Sequence, residues 1–156
     1  MDWETLRHNV LRFGMRNCTL SALMPCESSS QVSNSTNGIE PPRELVSVKG
    51  NAEITISQIV PDYEELAGVY ETLWELPNNR GYLGLVGIMQ KFVDQSISAN
   101  TNYNPDSYAD GQIPLQVITE ELLLAYRWGV KTAYYSNLRD GQGDEEKLRK
   151  GLNPIL

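Results

Sequence analysis

The chain has 156 residues, of which 40% are hydrophobic, so its length fits one domain and its composition is typical of a folded protein. It carries 13 Lys and Arg against 20 Asp and Glu, and the net charge of −7 argues against nonspecific binding to nucleic acid or an anionic membrane. Two cysteines and one histidine are too few for a disulfide scaffold or a zinc site, and the absence of a long apolar run or a secretory signal predicts a cytoplasmic protein with reduced thiols.

The N-terminal residues predict a helix followed by a buried strand. Apolar side chains recur at helical spacing from Trp3 to Phe13, and Gly14 is expected to end this helix. Residues 17–24 are typical of a short, mostly buried strand, which Pro25 would stop.

A serine cluster opens the next segment. Ser28–Ser30 predict the start of a short helix that runs to about Ser35. Two short strands are predicted after it, at Leu45–Lys49 and Ile54–Ile59, joined by a turn at Gly50-Asn51.

Two helices are predicted in the middle of the chain. In the first, Asp62 and Glu65 form a capping pair, and apolar residues line one face as far as Trp74. The second, from about Tyr82 to Gln95, is apolar on more than one side, so it should be deeply buried. The glycines that should let a neighbouring element approach this helix closely are Gly84 and Gly87.

The C-terminal third predicts a strand, a helix and another strand. Residues 97–103 are typical of a strand, and Pro114 and Gly129 suit the first turn and the end of a helix. The last strand is predicted at Val130–Tyr135, and the chain is charged and Gly-bearing from Arg139 onward.

Helices that alternate with short buried strands predict an α/β architecture. Buried strands with few partners indicate an incomplete sheet, because parallel strands need cover on both faces; a free-standing domain is the alternative. We expect one structural segment over residues 1–138 and a flexible tail over residues 139–156.

The sequence Pro25-Cys26-Glu27-Ser28-Ser29 has the pattern of an anion site. It combines a strand end, a turn and a helix start rich in hydroxyl groups, where unpaired backbone N–H groups and the helix dipole favour an anion. The structural alternative is that one serine caps the helix and the others face solvent.

The adjacent pair Tyr134-Tyr135 is a second candidate site. A neutral phenol, with a pKa of about 10, loses an electron only if a proton leaves with it, so two adjacent tyrosines could relay a radical. The alternative is ordinary packing, and in an ideal strand the two rings would point to opposite faces.

The cysteines and the histidine give weaker signals. Cys18, in an apolar stretch, is interpreted as a small hydrophobic residue, whereas Cys26 beside a helix N-terminus could be somewhat reactive. His8 lies on a helix with no carboxylate partner evident, so a surface or capping role is favoured over catalysis.

Several long motifs resemble one family, the large (alpha) subunit of ribonucleotide reductase of the class Ia type. They extend over nearly the whole chain to about residue 141, and they match only the C-terminal portion of that subunit. The matching stretches are GMRNCTLSALMP (14–25), SSSQVSNSTNGIEPPR (28–43), VPDYEEL (60–66), LVGIMQKFVDQSISANTNYNP (85–105) and GVKTAYYSNLRDG (129–141).

The resemblance implies a fold and a substrate site. The fold is the C-terminal part of the ten-stranded α/β barrel of the catalytic domain, incomplete by itself. The residues that match the family's substrate-diphosphate loop are Pro25, Cys26, Glu27, Ser28 and Ser29. The family more often has Ser at the position of Cys26, and Cys26 is expected to donate through its backbone N–H instead.

The resemblance also implies a radical relay. Tyr135 would take the radical from the small (beta) subunit, and Tyr134 would pass it to a cysteine that abstracts the ribose 3′ hydrogen. No cofactor is expected on this chain, and a di-iron tyrosyl radical is expected in the beta subunit. The other implied partners are the N-terminal part of the alpha subunit, a ribonucleoside diphosphate and, indirectly, thioredoxin or glutaredoxin.

Three hypotheses follow from the sequence. The leading one is a part of the alpha subunit that is active only when assembled with the missing part and with beta. The second is an inactive, interaction-only protein that binds reductase subunits, which the cysteine-free C-terminus at Leu156 favours because the family's tail carries a redox dithiol. The third is an independent phosphate-binding module.

Overall fold

The computed structural model describes residues 1–17, 19–50 and 55–139 and has mixed α/β structure. Three short 3₁₀ turns supplement the main elements, at Leu73–Glu75, Gln90–Phe92 and Pro105–Ser107. Three predictions concern residues outside the described ones. They are the small hydrophobic role of Cys18, the turn at Gly50-Asn51 and the tail after Arg139. The main elements are α1 (Trp3–Phe13), α2 (Glu27–Ser33), β1 (Val46–Gly50), β2 (Thr55–Ile59), α3 (Tyr63–Leu66), α4 (Arg80–Met89), β3 (Ala99–Tyr103), α5 (Leu115–Arg127) and β4 (Ala133–Leu138).

The strands within the described residues form two separate pairs. β1 and β2 form an antiparallel hairpin close to the predicted bounds, with Val46 opposite Ile59. β3 and β4 pair in parallel, and α5 makes the crossover between them, which is a βαβ unit. The described part of the chain therefore contains pieces of sheet and not a closed barrel.

The βαβ unit packs against α4. Val86, Ile97 and Ala99 are almost fully buried and form the core cluster. The close approach predicted at the α4 glycines is confirmed, because a Cβ built on Gly87 would lie 2.8 Å from Cβ of Trp128. The C-terminus of α5, which carries Trp128, therefore rests directly on the α4 backbone.

The apolar sides of α1 and α4 are more exposed than the sequence indicated. α1 has no buried residue, and Trp3 and Phe13 at its two ends are 70% and 72% exposed. The second middle helix is buried on one side, at Leu83 and Val86, but the prediction of burial on more than one side was wrong, since Ile88 and Phe92 are 59% and 80% exposed. Apolar surface on two helices is thus left without a partner within the described residues.

The strand predicted over residues 17–24 is reduced to a single parallel bridge between Leu23 and Ile97. The physical reason lies in where the backbone groups bond. The Leu20 N–H donates to the Asp94 carboxylate at 2.8 Å, and the Asp94 N–H donates to the Ser21 hydroxyl. A side-chain anchor thus takes the place of a strand ladder in this segment.

The helix predicted from Asp62 to Trp74 was also wrong in length. α3 ends at Leu66, and Asp62 has a left-handed backbone (φ 51°) and makes no side-chain cap. The capping box forms instead at Thr72 and Glu75, where the Glu75 carboxylate accepts the Thr72 N–H at 2.7 Å. The hydrogen bonds from the Thr72 hydroxyl and the Thr72 N–H lower the pKa of the Glu75 carboxyl.

The last strand is shifted toward the C-terminus from its predicted position at Val130–Tyr135. The Val130 N–H donates to the Ala125 carbonyl at 3.0 Å, which closes the end of α5. Gly129, predicted to end that helix, has φ +82° and makes this closure possible. β4 therefore begins at Ala133.

Candidate functional site

An open cleft of about 620 Å³ is lined by both predicted relay tyrosines and, of the predicted diphosphate residues that the structure describes, by Pro25 alone. Met24 and Pro25 line it together with Tyr134 and Tyr135, whereas Cys26, Ser28 and Ser29 are not among its lining residues. The strand order explains the proximity. The extended chain at Leu23 bridges to Ile97 just before β3, and β3 pairs with β4, so the three segments run in parallel side by side.

The loop that precedes α2 is fixed by backbone hydrogen bonds. The Cys26 N–H donates to the Asn37 carbonyl at 2.7 Å, which ties the loop to the turn after α2. That turn begins at Asn34, which has a left-handed backbone. The expectation that Cys26 would donate its backbone N–H to an anion is therefore wrong, because that N–H is already paired within the chain.

The thiol of Cys26 is exposed and points back along its own loop. Its Sγ lies 3.4 Å from the Met24 carbonyl, and the Cys26 side chain makes no capping hydrogen bond to α2. The His8 imidazole, on the exposed helix α1, lies in a separate element. Among the residues that the structure describes, neither has the neighbouring base or orienting carboxylate that nucleophilic catalysis requires.

The serines at the start of α2 differ in exposure. Ser28 and Ser29 are exposed, whereas Ser30 is buried at 3% exposure. Ser29 Oγ lies 3.5 Å from the Cys26 carbonyl, and the Ser30 N–H donates to the same carbonyl at 2.8 Å. The N–H groups of residues 27–29 belong to the first turn, where a helix provides no internal acceptor.

The phenol rings of Tyr134 and Tyr135 contact each other. Their centroids are 4.1 Å apart and the ring planes are tilted by 52°. They are 49% and 59% exposed, so the pair is open to the cleft. The two rings are therefore not separated as they would be in an ideal strand.

An irregularity in strand pairing accounts for this contact. Ala99 pairs with Ala133, but Thr101 pairs with Ser136, so β4 holds one more residue than β3 over this stretch. Tyr134 and Tyr135 both lie in the irregular part of β4, opposite Asn100. A β-bulge of this kind places two side chains where a regular strand would place one.

Two polar residues that sequence reasoning missed lie beside the tyrosines. Asn100 Oδ1 accepts the Tyr135 N–H at 3.1 Å, and Asn100 Nδ2 donates to the Glu40 carboxylate. Burial, together with the negative charge of Glu40, raises the pKa of the Tyr82 phenol to about 12, and its hydroxyl accepts the Asn100 N–H at 3.4 Å. The sequence did offer a signal for these residues, which is asparagine at two positions of a short predicted strand. Asparagine is depleted in strands, so its presence there needs a specific reason.

Within the described residues, no group of three His, Cys, Asp or Glu side chains is placed to hold a metal ion. Over the same residues, every helix is too short or too polar to cross a bilayer.

Comparison with known proteins decides the family. The model of the ribonucleotide reductase barrel domain matches residues 1–136. The chain belongs to this family. The predicted resemblance is thereby confirmed, and the antiparallel hairpin, the βαβ unit and the unclosed sheet belong to a member of the barrel-domain family.

Curated relatives of this barrel-domain chain include alpha subunits from bacteria and a phage. Ribonucleoside-diphosphate reductase 1 subunit alpha of Salmonella typhimurium is 60% identical over 93% of this chain. The protein of the same name from Escherichia coli is 59% identical over 93% of it. The alpha subunit of Enterobacteria phage T4 is 49% identical over 93% of it. The chain spans about a fifth of the length of these relatives (19 to 20%).

Proposed function

We propose that the chain is the part of a ribonucleoside-diphosphate reductase alpha subunit that binds the substrate diphosphate and relays a radical. The reaction would reduce ribonucleoside diphosphates to deoxyribonucleoside diphosphates, which are DNA precursors. The supporting observation is the contact of the two phenols, at a ring-centroid distance of 4.1 Å, on a cleft that Pro25 also lines. The membership of the chain in the barrel-domain family gives this contact its chemical meaning.

Substrate binding would use the loop at Pro25 and the first turn of α2. The first-turn N–H groups and the exposed hydroxyls of Ser28 and Ser29 are donors suited to phosphate oxygens. Cys26 would shape the loop through its bond to Asn37 and not contact the phosphate through its N–H. The role of Glu27 in this loop would be carried by its backbone.

Charge in the cleft constrains how the diphosphate is held. Among the described residues that line the cleft, Arg43 is cationic, while Glu40 and Glu44 are acidic. Arg43 lies over the ring of Trp74, 5.9 Å from its centroid. Backbone N–H groups and hydroxyls would therefore supply most of the binding, since these charged side chains of the cleft sum to a net negative charge.

The radical relay would move one hydrogen atom at a time. Tyr135 would lose its phenolic electron and proton to the oxidant of the beta subunit. It would regain both from Tyr134, which in turn would take an electron and a proton from a thiol elsewhere in the alpha subunit. Each phenol is neutral at pH 7, so electron and proton must leave together. Because the two rings are in direct contact, the transfer from Tyr134 to Tyr135 would cover only a short distance.

The relay requires partners. A di-iron tyrosyl radical in the beta subunit would supply the oxidant, and no cofactor is assigned to this chain. The N-terminal part of the alpha subunit would provide the reactive thiol and the missing strands of a ten-stranded barrel. The exposed apolar residues of α1 and α4 are surfaces that such a barrel would cover. Thioredoxin or glutaredoxin would restore the reduced state of the whole enzyme.

The experiment co-expresses the chain with the remaining part of an alpha subunit and with beta, and measures conversion of CDP to dCDP. Tyr134→Phe and Tyr135→Phe each keep the ring but remove the transferable proton, so turnover should fall below detection. Tyr126→Phe is the matched control, because Tyr126 is 80% exposed on α5 and outside this cleft. Full turnover by either cleft variant would refute the relay.

The substrate loop is tested in the same assay. Ser28→Ala combined with Ser29→Ala should raise KM for CDP about tenfold, because two donors to the diphosphate are lost. Ser33→Ala is the control at the other end of α2, where the hydroxyl bonds to the Ser29 carbonyl at 3.0 Å. A full-length alpha subunit assayed with the same partners is the positive control. If that control turns over CDP while this chain binds the reductase subunits without any turnover, the interaction-only hypothesis is favoured.

A further inference from the structure

The contact between the two phenols depends on a local distortion of β4. Adjacent side chains of a regular strand point to opposite faces of the sheet. Between the pairs Ala99–Ala133 and Thr101–Ser136, β4 contains two residues where β3 contains one. A bulge leaves a backbone group without its usual ladder partner and needs another group to satisfy it. The residue that fills this need decides whether the bulge persists.

Asn100 fills this need with its side chain. Its Oδ1 accepts the Tyr135 N–H at 3.1 Å, and its Nδ2 donates to the Glu40 carboxylate. Turning the carboxamide over would set NH₂ against the Tyr135 N–H and oxygen against a carboxylate. Both contacts would be repulsive, so the two partners together fix one orientation of the Asn100 amide.

The Glu40 end of this arrangement is itself anchored. Ile39, one residue before, packs against the core cluster. Pro41 restricts the backbone of Glu40 to extended conformations, and the carbonyl of Pro42 accepts the Leu73 N–H at 2.9 Å. The carboxylate therefore starts from a constrained piece of backbone, and it can act as a fixed acceptor for Asn100.

We propose that Asn100 and Glu40 are positioning residues that clamp the bulge in β4 and thereby hold Tyr134 and Tyr135 in ring contact. The clamp consists of the Tyr135 N–H, the Asn100 carboxamide and the Glu40 carboxylate. Neither side chain exchanges the radical or contacts the substrate. The effect on turnover rests on the proposed relay function, whereas the effect on ring geometry stands independently of it.

The clamp is tested by exchanging the roles of its two side chains. Asn100→Asp keeps the size and the acceptor for the Tyr135 N–H, but it sets a second carboxylate against Glu40. Adding Glu40→Gln restores a donor–acceptor pair, since the Gln amide donates to Asp at position 100. Asn102→Asp is the matched control, because it adds the same charge on the same strand. It also keeps an acceptor for the Asn137 amide, which in the unsubstituted chain donates to Asn102 Oδ1 at 2.8 Å.

Turnover is measured in the assembled reductase with alpha and beta complete. Asn100→Asp should lower kcat about tenfold or more, because the transfer geometry changes, whereas the charge that it adds to the cleft acts on KM for CDP. The double variant should recover kcat to within about threefold of the original. Loss of kcat in the double variant as deep as in Asn100→Asp, with an unchanged melting temperature, would overturn the clamp.

Ring geometry is measured without turnover. A fluorotyrosine placed at position 135 reports the neighbouring ring through its ¹⁹F chemical shift, and Tyr134→Leu gives the reference for a missing ring. Asn100→Asp should move the signal toward that reference, and the double variant should return it. An unmoved signal in Asn100→Asp would overturn the clamp. Full turnover by Tyr134→Phe would instead overturn the relay, and the ¹⁹F result would still decide the clamp.

Discussion

The βαβ unit and the N-terminal segment that bridges to it are stabilised in different ways. In the βαβ unit, buried side chains satisfy one another through several bonds, as with Glu121, which is 1% exposed and accepts both the backbone N–H and the side-chain amide of Asn79. Residues 19–23 are mostly exposed and are held by hydrogen bonds with Asp94, by backbone bonds from Gln95 and Ser98 and by the bridge to Ile97. The proposed radical relay lies on the first region, and most of the proposed substrate loop lies beyond the second.

This difference has a functional consequence. A relay depends on a fixed distance between two rings, so it belongs on strands that are held from several directions. A substrate loop must admit and release its ligand, which an exposed segment allows more readily than a buried one. Variants that weaken one region should therefore leave the other largely intact, and they test whether the two regions are separate.

The largest effect is expected at Glu121. Glu121→Ala would leave two Asn79 donors buried without an acceptor and create a cavity, which should lower the free energy of unfolding by about 3 kcal/mol. Because Asn79 Oδ1 also accepts the Asn102 N–H at 2.8 Å, β3 should loosen as well. The measurement is chemical denaturation of the assembled alpha subunit.

Glu120→Ala is the control for this prediction. Glu120 is next in sequence and forms an exposed ion pair with Arg80 at 2.9 Å. Exposed pairs contribute about 0–1 kcal/mol, so its loss should be small. Equal losses for the two variants would show that the buried network is not what stabilises the βαβ unit.

A smaller effect is expected where α4 meets α5. Gly87→Ala would place a Cβ 2.8 Å from Trp128 Cβ and 3.0 Å from its carbonyl oxygen, so the two helices must separate. We expect a loss of about 2 kcal/mol in the free energy of unfolding. Gly84→Ala is the matched control, because its Cβ would lie at an ordinary 3.5 Å from the Trp128 ring.

Gly84→Ala should be neutral or slightly stabilising, since alanine favours the helix by up to about 1 kcal/mol over glycine. Thermal unfolding of both variants provides the measurement. A loss at position 84 that matched the loss at position 87 would contradict the close approach of Trp128 as its cause.

Local signals in the sequence predicted the ends of elements better than their partners. Gly14 and Gly129 end helices as expected, because both adopt a positive φ that favours glycine. The length of α3 was harder to predict, since Asp62 makes no side-chain cap and the capping box forms instead at Thr72 and Glu75, on a separate turn. Two adequate capping patterns so close together cannot be ranked without the packing around them.

The sequence predicted which residues belong to the candidate site but not how they are arranged in space. Tyr134, Tyr135 and Pro25 line one cleft, but their proximity depends on the parallel order of three segments far apart in sequence. The bulge was not predictable, because it arises from pairing with β3 and from the Asn100 side chain. The Cys26 N–H was assigned to an anion because its true acceptor lies eleven residues away.

The smallest effect is expected at Asp94, which anchors residues 19–23. The N–H of Leu20, and then the bonds from Ser21 and the charge of Lys131, lower the pKa of the Asp94 carboxyl. The folded pKa lies below the unfolded value of about 3.9, so the carboxylate stabilises the anchored form at neutral pH. That contribution is lost as the pH falls below about 4 through the folded pKa.

Hydrogen exchange of the peptide that contains Leu20 measures this anchor. Asp94→Asn keeps an acceptor but removes the charge that strengthens the bond, so protection of residues 19–23 should fall at neutral pH and become insensitive to acid. Asp106→Asn is the control, because Asp106 pairs with Arg139 at 3.8 Å in another part of the chain. If protection of residues 19–23 stays unchanged in Asp94→Asn while the βαβ unit also keeps its own, the segment is held by the Leu23 bridge and the backbone bonds from Gln95 and Ser98, and not by the carboxylate.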